Sequence, residues 1–130
     1  MKVTYKESTF LFGGDIGRTT EGILVDTYGE AIQADIVKMN HHGYTNTSES
    51  DKWLEAVGAK LAVAMYYSAH TEESMYRYVL NETTPLYTGL DKSCLVYTAG
   101  DGTYDVQVEK DRDFYDYLLP DMTDGHFNIK

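Results

Sequence analysis

Leu61-Ala62-Val63-Ala64-Met65 is an unbroken apolar run, too short for a buried helix and of the kind found in a strand covered on both faces. Ile36 to Met39 repeats it with one interruption, at Lys38. Between such runs lie segments of helical spacing. Thr19 or Thr20 can cap a helix whose first turn holds Glu21 and whose inner face carries Leu24, Tyr28 and Ala31-Ile32. Ser48-Glu49-Ser50-Asp51 has capping-box spacing ahead of Trp53, Leu54 and Val57, with Gly58 as the stop. Glu72 to Leu80 reads as a short helix turning Met75, Tyr76 and Val79 inward. Val3-Thr4-Tyr5 and Phe10 to Phe12 form a hairpin around Lys6-Glu7-Ser8. Leu86 to Thr88, Cys94 to Thr98 and Tyr104 to Val108 are further short strands, the last two joined through Ala99-Gly100-Asp101-Gly102. This order predicts an α/β fold in which helices cover one face of a mixed β-sheet. Residues 1–110 form that domain, and 111–130 read as an acidic, aromatic tail without periodicity.

Two of the apolar runs end in reactive side chains. Phe10-Leu11-Phe12-Gly13-Gly14 runs into Asp15, and Ile36-Val37-Lys38-Met39-Asn40 into His41-His42-Gly43. A carboxylate and an imidazole held at adjacent strand ends are donors that suit a divalent metal ion. On residue type alone, Asp15 could equally close a turn after the two glycines, and the histidines could be ordinary loop residues.

The order Gly-Asp-Ile at 14–16, an acidic helix, then Ala34-Asp35-Ile36-Val37-Lys38-Met39-Asn40-His41-His42-Gly43 resembles the second half of metallo-β-lactamase-fold hydrolases. More narrowly, it is similar to the hydrolase domains of the DNA-uptake competence proteins. The likeness continues through Ala59 to Ala64 and Val96-Tyr97-Thr98 with Gly102, covering roughly residues 3 to 108. The resemblance implies half of an αββα sandwich and a site for two divalent ions, zinc first, with manganese or iron also suited. Asp15 would bridge the ions. His41 or His42 would be the last imidazole ligand, His41 being the first choice because it follows the strand directly. His42 would then face the substrate as a catalytic imidazole. The implied reaction is attack of a metal-bound hydroxide on a phosphodiester or related ester.

The family's main motif, His-x-His-x-Asp-His, has no counterpart here, because His41, His42, His70 and His126 are the only histidines. The chain is therefore expected to be inactive alone and to need a missing N-terminal half. A half sandwich would also leave a sheet face bare, which predicts self-association through that face. Departures from the family pattern include Tyr44 where a small hydroxyl residue is usual, Thr47-Ser48 one residue late, and His70 in a Tyr-Ser-Ala-His stretch that replaces Tyr-Gly-His-Pro. The substituted Tyr44, with the absent first half and the acidic surface, favours the alternative of a degenerate, non-catalytic binding or assembly module.

Composition bounds the remaining classes. A formal net charge of -10 repels a phosphate backbone, so nucleic acid is not favoured as a partner. Cys94, the single cysteine, sits in an apolar run as a core residue, forms no internal disulfide and fits a reduced, by default cytoplasmic, interior, with an extracellular location open to a parent chain that carries a signal peptide. No stretch is long and apolar enough to span a membrane. Gly13-Gly14 lacks the spacing and lysine of a phosphate loop, and Asp101-Gly102 lacks the carboxylate ladder of a calcium loop.

Overall fold

The computed structural model describes residues 1–110 and 112–130. Strands β1 (Lys2–Tyr5) and β2 (Ser8–Phe12) form the expected hairpin, in register from Lys2 opposite Leu11 to Tyr5 opposite Ser8. β2 then runs parallel to β3 (Ile36–Lys38), β3 to β4 (Leu61–Ala64), and β4 to β5 (Thr84–Tyr87). Strand order in this mixed sheet follows chain order. Pro85 is accommodated because β5 is an edge strand.

Each parallel step adds a strand on the same side, so right-handed crossovers put the connecting helices on one face. These helices are α1 (Arg18–Tyr28), α2 (Asp51–Val57) and α3 (Glu72–Leu80), followed by the single turn α4 (Thr88–Asp91). The α/β class and the mixed sheet agree with the sequence. The caps and faces differ in detail. α1 starts after Gly17 rather than at Thr19 or Thr20 and buries Glu21, while Tyr28 stays exposed. α2 is capped by Ser50, whose Oγ accepts the Trp53 N–H at 3.3 Å. Ser48, two residues earlier, instead bonds the Asn40 and Tyr44 carbonyls. α3 buries Met75 and Tyr78, one helical step apart, and leaves Tyr76 outside.

Two apolar layers follow from the period-two alternation of the strands. Val37, Ala62 and Tyr87 face the helices, where they pack with Met39, Trp53, Leu54, Val57, Met75 and Tyr78. Their neighbours Ile36, Leu61 and Leu86 face the other way, onto Tyr104, Val106, Val108, Phe127 and Ile129. That second group belongs to an antiparallel sheet of β6 (Cys94–Tyr97), β7 (Tyr104–Val108) and β8 (His126–Ile129).

The expected bare face of the larger sheet is therefore covered by the chain's own second sheet. The alternation His126-Phe127-Asn128-Ile129 that builds β8 is only four residues long, and the surrounding acidic stretch hides it. Arg112 fastens the same stretch to the domain. Its guanidinium donates to both Asp91 carboxylate oxygens at 2.7 Å and to the Pro85 carbonyl at 2.6 Å, with the Arg112 and Asp91 side chains wholly buried. Asp111, the first residue of the expected tail, lies outside the described residues. Cys94 packs against the small-sheet core, and burial pushes its thiol up to about 12, opposite to the lowering that activates a nucleophilic cysteine. Among the described residues, no helix is long and apolar enough to cross a membrane.

Candidate functional site

The four parallel strands end on one edge of the sheet, the place where open α/β sheets gather ligand-binding loops. From β2 the chain passes through Gly13-Gly14 to Asp15, and from β3 through Met39-Asn40 to His41-His42. The two loops interlock. Gly14 takes φ +72°, which favours glycine, and a Cβ on Gly13 would stand 2.0 Å from Asn40 Oδ1, so no larger residue fits there without displacing Asn40. The His41 N–H donates to the Gly14 carbonyl at 3.1 Å.

His41 (φ 44°) and His42 (φ 59°) are consecutive left-handed residues without being glycines. Conformations of this kind cost on the order of 1–3 kcal/mol each and persist only where their surroundings impose them, which is commonest at functional sites.

Of the residues singled out in the sequence, Asp15 and His42 are brought together, with Asp15 Oδ1 3.7 Å from His42 Nε2. Their side chains are 61% and 40% exposed. His41 turns aside, and its Nδ1 hydrogen-bonds Thr47 Oγ1 at 2.9 Å. His70 stacks on Tyr44, with ring centroids 6.4 Å apart and planes within 21°. His126 is remote in role, pairing with Asp105 on the small sheet at 3.5 Å.

Lys38 also belongs to the site. Its ammonium donates to the Gly14 carbonyl at 2.9 Å and lies 3.4 Å from Asp15 Oδ1. The clue in the sequence is the charge it places inside an otherwise apolar strand.

Beneath the histidines lies a buried polar network. Glu21 of α1 accepts hydrogen bonds from Asn40 Nδ2 at 2.9 Å, the Glu49 N–H at 2.7 Å and the Ser50 N–H at 3.0 Å. Glu49 accepts from the Asn40 N–H and from the Tyr78 hydroxyl. Glu21, Asn40 and Glu49 are fully buried. Burial, aided by the nearby Glu21 charge, raises the Glu49 carboxyl to about 8 against the opposing hydrogen bond from Tyr78. The Tyr78 hydroxyl is raised well above its ordinary range by burial and by Glu49. Asn40 is the hinge of this arrangement, since it bonds both glutamates and directly precedes His41. Sequence reasoning missed this network, because Glu21 sits between Thr20 and Gly22 and Glu49 between Ser48 and Ser50, where glutamate reads as a solvated helix-start residue.

The Asp15–His42 pair suits a divalent ion in donor type and in spacing, because two donors each ~2.0–2.2 Å from one ion lie no more than about 4.3 Å apart. It does not suit one in number. Among the described residues, no group of three His, Cys, Asp or Glu side chains gathers around a common point. Zinc ordinarily takes four ligands.

No family model matches the chain, and no curated protein matches its sequence.

Proposed function

We propose that this chain supplies a carboxylate and an imidazole to a divalent-metal hydrolase site acting on a phosphodiester or related ester, with the remaining donors coming from outside these 130 residues. The observation that carries the reading is the Asp15–His42 pair, 3.7 Å apart on a strained backbone at the carboxyl edge of the sheet. In this reading Asp15 and His42 share an ion, zinc first, with manganese or iron accepting the same donors. Asp15 would also supply a donor to a second ion. When bound, such metals acidify water and neutralise charge on the ester oxygens. His41, its ring 6.3 Å from His42, is the imidazole left to hydrogen-bond a substrate or protonate a leaving oxygen. The geometry thus favours exchanging the roles that strand adjacency alone suggests for the two histidines. Lys38 orients Asp15 and the Gly14 carbonyl. The missing ligands would come from a partner segment seated at the carboxyl edge of the strands, because the face on which the other half of an αββα sandwich would pack is already covered by β6, β7 and β8.

A second reading has its own support. The Lys38 ammonium already lies beside Asp15, and no third donor joins the pair among the described residues, as in a binding or assembly module that has lost hydrolysis.

Calorimetric titration with zinc and manganese tests the first reading. Weak binding of a single ion is expected, abolished in Asp15→Asn and His42→Ala and retained in His41→Ala, with no turnover of bis(para-nitrophenyl) phosphate by the chain alone. Binding that is unchanged in Asp15→Asn overturns the assignment.

A further inference from the structure

We infer that the aromatic rings beside His42 form a stacking subsite for the planar base of a nucleoside monophosphate or similarly small base-bearing phosphate ester. The inference rests on the hydrolase reading of the Asp15–His42 pair. Three separate segments build the subsite: Tyr44 from the loop after β3, Met65 and Tyr66 from the end of β4, and His70 from the approach to α3. The Tyr44 ring lies within 13° of parallel to Tyr66, with centroids 6.1 Å apart, and within 21° of parallel to His70. His41 approaches the same ring at 5.7 Å.

His42, Tyr44, Met65 and Tyr66 line a shallow depression of about 250 Å³. Met65 and Tyr66 are 55% and 45% exposed, although Ala64 just before them is wholly buried. Exposed apolar surface at the rim of a reactive pair, beside the aligned rings of Tyr44 and Tyr66, is what a flat ligand needs. Every base has a face that stacks on aromatic rings, and stacking needs no particular hydrogen-bond pattern.

His42 connects the two parts, since it lines the depression and also stands 3.7 Å from Asp15. A base on Tyr44 and Tyr66 therefore leaves its phosphate near Asp15, where the Lys38 ammonium is the adjacent cation. Size follows from charge. A net charge of -10 opposes a polymer of phosphates, whereas a monophosphate brings at most two negative charges to one local cation.

The test is a pair of nuclear magnetic resonance titrations of the metal-free chain, one with adenosine monophosphate and one with ribose 5-phosphate. The nucleotide is expected to shift ring resonances of Tyr44, Tyr66 and His70, and ribose 5-phosphate is expected to leave them unmoved at the same concentration. Tyr66→Ala should weaken nucleotide binding about tenfold, and Tyr66→Phe should leave it unchanged. Equal shifts with both ligands, no shifts with the nucleotide, or undiminished binding in Tyr66→Ala overturns the inference. Neither metal nor turnover enters this measurement, so its failure is separable from a failure of the metal titration.

Discussion

Replacing Glu49 by Gln should remove a large part of the pH dependence of folding stability. The wild-type carboxyl is held inside the helix-facing core, touched by the Asn40 N–H and the Tyr78 hydroxyl and faced by Glu21 from α1. Among the described residues no cation bonds it; Lys38 acts only through space. Burial raises its folded value from an ordinary 4.5 to about 8. The sign follows from proton binding. Between pH ~4.5 and ~8 the folded chain keeps a proton that the unfolded chain has lost, so stability is full below 4.5, falls as pH rises through this window, and levels off above 8. At ~1.4 kcal/mol for each pH unit, the whole window is worth on the order of 5 kcal/mol, a substantial share of the 5–15 kcal/mol by which domains are stable. Gln imitates the neutral acid, offering an N–H to Tyr78 and an oxygen to Asn40, and has nothing to titrate. Urea unfolding followed by fluorescence of the single, buried Trp53 at intervals from pH 5 to pH 9 reads both chains. The difference in stability between Glu49→Gln and wild type should grow in the variant's favour up to pH 8 and then hold constant. A parallel decline in both chains would refute the claim that Glu49 carries this proton.

Two further substitutions probe how the loops and the second sheet are fastened. Gly13→Ala forces a Cβ against Asn40 Oδ1 and should cost about 1–3 kcal/mol in urea unfolding, with loss of the His41–Gly14 hydrogen bond visible as faster amide exchange at His41. Asp91→Ala leaves the Arg112 guanidinium buried without its carboxylate and should cost about 3–5 kcal/mol. Limited proteolysis of that variant should cut first within 112–130, since the ion pair ties this stretch to α4.

The fold was legible where the local signals were long or redundant. The unbroken run at 61–65, the hairpin at 2–12 and the Trp53-Leu54-Val57 spacing each specify an element on their own, and their order specifies an α/β sheet with helices on one face. β8 was not legible, because four alternating residues become a strand only once β7 supplies hydrogen-bond partners. The cover it gives to Leu61 and Leu86 was hidden for the same reason. At the site, Asp15 and the histidine pair stood out because they end apolar runs. Which histidine turns towards Asp15 depends on left-handed backbone at both positions, and residue type does not encode that choice. The Glu21–Asn40–Glu49 network was invisible for a related reason: glutamates at 21 and 49 read as solvated helix-start residues until tertiary packing buries them.

The most direct test of the proposed metal half-site is paramagnetic broadening by manganese, read residue by residue in the amide spectrum. The account predicts that substoichiometric manganese broadens residues 14–16 and 41–43 first, and that Asp15→Asn abolishes this pattern. Broadening centred instead on the acidic surface of residues 112–124, and unaltered by Asp15→Asn, would contradict it.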